Sequence, residues 1–152
     1  MEAISKLYIY DLDGTVIDSS HRLGDGSLDD WFANNTPDKI ADDRLLPLAQ
    51  HLQMQKNKGN ATAVCTSRQM TDADYMFLKR NNIDPVFILS RKHGDNTSCG
   101  AMKLDLIRKF VSRMGYAWGD FIRHTVMFDD NDDVLDTLQN SGMKLIDARK
   151  YQ

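Results

Sequence analysis

The stretch Lys6-Leu-Tyr-Ile-Tyr-Asp-Leu-Asp-Gly-Thr15 decides the fold class of this chain. Its first half is rich in aromatic and branched residues, which is typical of a short buried strand, predicted here over residues 6–10. The Asp13-Gly14 dipeptide then favours a tight turn. A buried strand that ends on acidic residues and a turn is the start expected of a parallel sheet with functional residues beyond its strand ends.

Outward from this stretch, apolar segments of strand length alternate with segments of helical periodicity. Further strands are predicted over residues 61–65, 85–89, 125–128 and 143–146. Helices are predicted over 42–58, 71–82, 101–114 and 134–139, with a short helix near 29–33 inside an irregular excursion over 18–40. This alternation predicts an α/β fold, a doubly wound parallel sheet of about five strands with helices on both faces. The length fits one domain, predicted over residues 1–152.

Composition narrows the class of protein. A net charge of −3 argues against strong non-specific binding to nucleic acid, although a local basic pocket for a phosphorylated end remains compatible. No apolar run approaches the ~20 residues of a membrane helix, and the N-terminus lacks the layout of a signal peptide. A cytoplasmic location without membrane contact is therefore expected. Cys65 and Cys99 are expected to be reduced and to act as small apolar fillers.

Polar side chains follow the predicted strands at the points where the strands end. In chain order these residues are Asp11 and Asp13, Thr66-Ser67-Arg68, Arg91 with Lys103 at the start of the next helix, and Asp129-Asp130. Because the carboxyl ends of parallel strands meet along one edge of a sheet, we expect these side chains to form a single site.

Acids, a hydroxyl and cations gathered at one edge suit the cleavage of a phosphate monoester. The dianion repels an anionic nucleophile, so a divalent cation and fixed donors must offset its charge. A carboxylate can then attack phosphorus and divide the reaction into two steps. A second acid protonates the leaving oxygen and later activates water. Asp11 and Asp13 supply two such acids, and acids at neighbouring strand ends suit Mg²⁺.

The ordered motifs resemble those of the haloacid dehalogenase superfamily of phosphohydrolases. Its four signatures correspond here to Asp11-x-Asp13-Gly14-Thr15, Thr66, Lys103 and the pair Asp129-Asp130. The resemblance spans residues 6 to about 147 and implies a Rossmann-like core with Mg²⁺ as the cofactor. It also implies that Thr66 and Lys103 bind the phosphoryl oxygens.

The same resemblance assigns the acids. It implies that Asp11 is the nucleophile and a metal ligand, and that Asp13 is the general acid/base and contacts the metal through its backbone carbonyl. Asp130 is implied as a direct metal ligand, and Asp129 as a ligand or as a partner of one.

The chain more closely resembles the 3′-phosphatase domain of phage-type polynucleotide kinase/phosphatase. The matching positions are Arg22, eleven residues beyond the nucleophile, then Thr66-Ser67-Arg68, and then Arg91, Gly94, Asp95 and Lys103. This resemblance implies substrate-binding roles for Arg22, Ser67, Arg68 and Arg91. The chain departs from that family at Cys99, where the family has an aspartate, and it contains no P-loop and hence no kinase half.

Short gaps between the signatures predict a site without a large cap domain. An open site suits a phosphorylated nucleotide or polynucleotide end, and a homo-oligomer or a separate kinase partner is compatible with it. Removal of a 3′-phosphate is the leading prediction. The alternative is a small-molecule phosphatase, for example one acting on a 5′-nucleotide.

Two readings from other classes are a phospho-acceptor module and a binding domain without activity. The acid/base candidate Asp13 and the late position of the acidic pair argue against the first, whereas Cys99 keeps the second open. For Trp31 and Phe32, local packing is favoured over a lip at the site that stacks on a base.

Overall fold

The computed structural model describes residues 6–152 of the chain. Its strands are β1 (Leu7–Tyr10), β2 (Ile17–Asp18), β3 (Arg44–Leu45), β4 (Ala61–Thr66), β5 (Phe87–Ser90), β6 (Thr125–Asp129) and β7 (Lys144–Asp147). Its helices are α1 (Leu28–Ala33), α2 (Pro37–Ala41), α3 (Pro47–Asn57), α4 (Asp72–Arg80), α5 (Cys99–Arg113), α6 (Trp118–Arg123) and α7 (Asp132–Asn140). Short 3₁₀ helices cover Ser20–Arg22 and Ala148–Tyr151.

Five parallel strands form the main sheet in the order β5-β4-β1-β6-β7. The central strand β1 pairs with β4 on one side and with β6 on the other, so that Tyr10 lies beside both Val64 and Phe128. The prediction of a doubly wound parallel sheet of about five strands is confirmed. The neighbouring ends of β1, β4 and β6 bring the segments that follow them close together.

Helices cover both faces of this sheet, as the alternating side chains of β1 require. Tyr10 packs in a cluster with residues of α3 and α4, among them Leu52 and Phe77. Ile9 points the other way, into a cluster with residues of α5 and α7, among them Ile107 and Leu138. Two hydrophobic cores therefore sandwich one sheet.

The start of α3 differs from the prediction. A helix was expected over 42–58, but it begins at Pro47, because Arg44 and Leu45 pair as β3 with β2 in a small antiparallel ladder. Pro47 occupies the first helical turn, where its missing N–H is tolerated. The two-residue strands β2 and β3 were not predicted, because such short segments carry no periodic signal.

The excursion predicted over 18–40 contains the expected short helix α1 and also α2, which was not predicted. The helix α6 was likewise missed, because five or six residues are too few for a clear apolar period. Cys65 is fully buried, and burial raises the pKa of its thiol to about 12, as befits an apolar filler. Cys99 is partly exposed.

Between the strands of residues 6–152 lie only helices of the core and short loops, without a separate cap domain. Within that range, every helix is too short or too polar to cross a bilayer. The predicted domain begins at Met1, and its first five residues lie outside the described part of the chain.

Candidate active site

The carboxyl ends of β1, β4 and β6 bring the candidate residues to one edge of the sheet. Asp11 follows β1, Thr66 ends β4 and Asp129 ends β6. Lys103 reaches the same edge from α5, which follows β5. All four side chains are buried, and those of Asp11, Lys103 and Asp129 form the floor of a cavity of about 520 Å³.

Three carboxylates converge on this floor. Oxygen atoms of Asp11, Asp129 and Asp130 all lie within 4.8 Å of one another. Burial and the neighbouring charge of Asp129 raise the pKa of Asp11 well above its usual range, and burial raises the pKa of Asp130 as well. Burial and mutual repulsion disfavour the ionised forms of these acids, and a divalent cation bound among them would stabilise those forms.

Lys103 is the counter-charge of this cluster. Its ammonium nitrogen Nζ donates to Asp11 Oδ1 at 2.9 Å and to Asp129 Oδ2 at 2.6 Å. Burial works to lower the pKa of Lys103, but the two carboxylates outweigh it and raise that pKa above its usual value. Lys103 is therefore a charged lysine, fixed between two acids.

The second acid, Asp13, also lines the cavity but does not belong to the three-carboxylate cluster. Its carboxylate accepts hydrogen bonds from Ser19 and from the guanidinium of Arg68, with Arg68 Nε at 3.2 Å from Oδ2. The Asp13 side chain stays 17% exposed, whereas that of Arg68 is buried. Asp13 therefore faces the cavity from a fixed position beside Asp11.

The turn at Gly14 lets the chain fold back against Asp130. Gly14 has a φ of +79°, and a methyl group added to it would lie 2.8 Å from Asp130 Cγ. Its N–H donates to the Ile17 carbonyl at 2.8 Å. Only glycine satisfies both the left-handed conformation and the close approach of this carboxylate.

Replacing Gly14 with alanine should displace the Asp130 carboxylate. We expect kcat/KM for phosphate release to fall by about 10²-fold, the scale on which a misplacement of about 1 Å acts. Gly115→Ala is the matched control, because Gly115 has a φ of +75° with open space around its Cα. Both variants carry backbone strain, and equal kcat/KM values in the two would contradict a positioning role for the Gly14 contact.

Thr66 and the three candidate arginines are buried and bonded within the protein. The Thr66 hydroxyl oxygen accepts the Arg68 backbone N–H at 3.0 Å. Arg68 pairs with Asp74 as well as with Asp13. Arg22 is held by Asp43 through Nε and Nη2, at 2.9 and 2.7 Å. That these groups contact substrate stays a prediction.

Arg91 ties together the loops around the cavity. It donates to the backbone carbonyls of Ser67, Asp95 and Thr97 at 2.8 to 3.0 Å. Its Nη2 also lies 3.7 Å from the sulfur of Cys99, at the position where the resembling family has an aspartate. Ser67 and Cys99 both line the cavity. The arginine thus links the loop that carries Ser67 to the segment that leads into α5 at Cys99.

Sequence reasoning missed several residues around the site. Ser19 bonds Asp13, Asp43 holds Arg22, and Leu23 and Leu46 line the cavity. Ser19, Leu23 and Asp43 were assigned to no motif or apolar period, and Leu46 was assigned to the apolar pattern of the helix predicted over 42–58, not to the site. The Asp43 pairing crosses an irregular segment, for which the sequence carries no spacing signal.

A family model described as "Bacteriophage T5 5'-deoxynucleotidase" matches residues 1–151. The curated 5'-deoxynucleotidase of Escherichia phage T5 is 29% identical over 174 residues, covering 96% of this chain and 68% of that protein. The match therefore includes every residue of the site described above.

Solved structures share the fold. A chain of the Pnkp1/Rnl/Hen1 RNA repair complex superposes with a TM-score of 0.67 at 21% identity, over 94% of this chain and 42% of that one. This chain therefore spans less than half of that neighbour. A haloacid dehalogenase-like hydrolase from Streptococcus pneumoniae superposes with a TM-score of 0.66 at 14% identity, over 94% of this chain and 84% of that one. At these identities the likeness establishes the haloacid dehalogenase fold.

Proposed function

Because this chain belongs to the bacteriophage T5 5'-deoxynucleotidase family and has the haloacid dehalogenase fold, we propose that it hydrolyses 5′-phosphates of deoxynucleotides. The observation that carries the proposal is the convergence of Asp11, Asp129 and Asp130 with Lys103 at the sheet edge. Such a group of charges suits a phosphate dianion and its counter-ion.

Hydrolysis of a 5′-nucleotide is the alternative function predicted from the sequence, and we favour it over the leading prediction, removal of a 3′-phosphate. Removal of a 3′-phosphate from a polynucleotide end rested on Arg22, Arg68 and Arg91 as substrate contacts. Each of these guanidinium groups has internal partners, which leaves it fewer donors for a polynucleotide backbone. The full-length family match favours the mononucleotide.

In the first half of the reaction, Asp11 attacks phosphorus and the bond from phosphorus to O5′ breaks. Asp13 gives its proton to O5′, and the nucleoside leaves with a hydroxyl group. In the second half, Asp13 takes a proton from water, which attacks the phospho-aspartate. Phosphate leaves and the Asp11 carboxylate is restored.

The side chains around Asp11 fix its two oxygens for this attack. Lys103 holds Oδ1, and the Thr15 hydroxyl donates to Oδ2 at 3.2 Å. Lys103 also brings a positive charge to where the phosphoryl oxygens must lie. Ser19 and Arg68 keep Asp13 beside the leaving oxygen. Orientation of this kind removes part of the entropic barrier before the reaction begins.

Mg²⁺ is the metal that we propose for the carboxylate cluster. The donor set fits it, because carboxylate oxygens are ligands that Mg²⁺ prefers and those of Asp11, Asp129 and Asp130 converge within 4.8 Å. Asp11, Asp130 and the Asp13 backbone carbonyl would hold the ion, with Asp129 as a further ligand or as the partner that orients Lys103. When bound, the ion neutralises charge on the phosphate.

A phosphate-release assay tests the substrate. The panel compares deoxynucleoside 5′-monophosphates with their 3′ isomers, with ribonucleoside 5′-monophosphates and with 3′- and 5′-phosphorylated oligonucleotides. We expect kcat/KM to be highest for deoxynucleoside 5′-monophosphates, by about tenfold or more over the 3′ isomers, because only a substrate that fits the whole site gains its full binding energy.

The assay is run with Mg²⁺ and with excess chelator. Loss of activity in chelator and its return on adding Mg²⁺ are the expected results. Preferred cleavage of 3′-phosphorylated oligonucleotides would replace the present proposal with polynucleotide repair, and activity that survives chelation would remove the metal from it.

A further inference from the structure

The cavity has two unlike walls. Its floor consists of the charged groups Asp11, Lys103 and Asp129, whereas Leu23, Trp31 and Leu46 line it from the segment between β2 and α3. Leu23 is 41% exposed, unlike the leucines of the two cores. An apolar wall beside a charged floor suits a ligand with one charged end and one flat, apolar end.

The helix that carries Trp31 is not held in place by burial. None of the six residues of α1 is buried. Local polar contacts cap its start: Ser27 Oγ accepts the Asp30 N–H at 3.1 Å, and Asp30 Oδ2 accepts the Asp25 N–H at 2.7 Å. The position of Trp31 at the cavity therefore does not follow from packing into the core.

The indole of Trp31 also lacks an acceptor. Within residues 6–152, its Nε1 atom is buried and no side chain or carbonyl accepts its hydrogen. The other tryptophan, Trp118, donates from Nε1 to the Ser141 carbonyl at 3.0 Å. A buried donor without a partner disfavours folding, so local stability does not explain why an indole stands at this position.

We propose that Trp31, with Leu23 and Leu46, forms the subsite for the nucleoside half of the substrate, and that the base packs on the indole. This inference rests on the proposed function and adds to it the residues that recognise the base. Stacking on an aromatic ring accepts every base, because each has a flat π-face. The subsite is therefore expected to bind all four deoxynucleotides and to discriminate against phosphate esters without a base.

The volume agrees with this assignment. A cavity of about 520 Å³ falls within the range of about 300–1,000 Å³ that is usual for small-molecule sites. Both walls belong to the same cavity, so a ligand with its phosphate at Asp11 has room to extend toward Trp31. A mononucleotide can thus contact the charged and the apolar wall at once.

Kinetics with two substrates test the subsite. Thymidine 5′-monophosphate and 2-deoxyribose 5-phosphate share the phosphate ester, and only the first has a base. For Trp31→Ala we expect KM for the nucleotide to rise by about tenfold with little change in kcat, while kcat/KM for the sugar phosphate stays constant. Trp31→Phe should recover most of the loss, because it retains an aromatic face.

Phe32→Ala is the matched control. Phe32 neighbours Trp31 on α1, but its ring packs against His93, with 5.1 Å between centroids, and does not line the cavity. This variant should behave as wild type on both substrates. If Trp31→Ala impairs both substrates equally, or impairs neither, the subsite is refuted while the proposed function stands. If the wild-type protein does not cleave the nucleotide, the proposed function fails and the subsite with it.

Fluorescence gives a readout that does not require turnover. The chain has two tryptophans, so Trp31 is the only one left in a Trp118→Phe protein. With Asp11→Asn added to stop the reaction, titration with thymidine 5′-monophosphate and Mg²⁺ should quench the emission, and inorganic phosphate should quench it much less. Calorimetry run in parallel reports binding, and nucleotide binding without quenching would overturn the inference.

Discussion

Asp11→Asn should reduce phosphate release by roughly 10⁴-fold or more, the scale seen when a covalent nucleophile is removed. The amide keeps the shape of the carboxylate but attacks phosphorus poorly, so the first step is lost. Wild-type protein quenched during turnover should carry one phosphoryl group on Asp11, detected by mass spectrometry, and the variant should carry none.

Folding is not expected to account for this loss. The pKa of Asp11 is raised in the folded protein by burial and by Asp129, so its charge destabilises the fold once the pH exceeds the unfolded-state pKa. Without metal, the Asp11→Asn protein should therefore melt at or above the wild-type Tm at neutral pH. Asp136→Asn, at an exposed position on α7, is the control and should retain full activity. Substantial phosphate release by the Asp11→Asn protein would rule out the covalent route.

Lys103→Met should destabilise the protein as well as inactivate it. Removing the ammonium leaves Asp11 and Asp129 buried without their counter-charge, and breaking a buried pair in this way costs about 3–5 kcal/mol. Urea unfolding in the presence of chelator measures the free energy of unfolding without support from a metal. The same variant should lose activity, because no cation remains on the floor to meet the phosphoryl oxygens.

Two further variants test whether the stability loss in Lys103→Met comes from unpaired charge. Lys109 lies on the same helix and pairs at the surface with Asp105, so Lys109→Met should change stability by no more than about 1 kcal/mol. Adding Asp129→Asn to Lys103→Met removes one unpaired charge and should recover part of the lost stability. If the double variant is as unstable as the sum of the single ones, the loss arises from packing and not from charge.

The five strands of the main sheet could be predicted because each has a clear local sequence pattern. Each is a short apolar run followed by a polar turn, and the acids that the structure brings together lie at or just beyond the ends of β1 and β6. Parallel strands share an edge, so placing Asp11 and Asp129 after strands was enough to predict that they meet. Lys103 was identified from the resemblance, by its order among the signatures and by its spacing of eight residues from Asp95, since the apolar period of α5 alone does not single it out.

The segment between β2 and α3 escaped prediction for a physical reason. Its structure depends on buried pairings between residues far apart in the chain, such as Arg22 with Asp43, and not on any local period. Arg22 and Arg68 were predicted as substrate contacts because their spacing matches that of the resembling family, and the structure adds that both have buried carboxylate partners. The spacing does not distinguish an arginine that binds a ligand from one that ties two loops together, so their contact with substrate stays a prediction.

The ladder of β2 and β3 closes the segment over residues 19–43 at its base, with Ile17 beside Leu45 and Asp18 beside Arg44. The entropy lost in closing a loop grows only with the logarithm of its length, and doubling the length adds about 0.6 kcal/mol. Insertions into this segment that spare Ser19, Arg22 and Asp43 should therefore leave the sheet and its acids undisturbed. Changes in the length or sequence of this segment can therefore alter the apolar wall of the cavity, and with it substrate preference, without changing the catalytic acids at the strand ends.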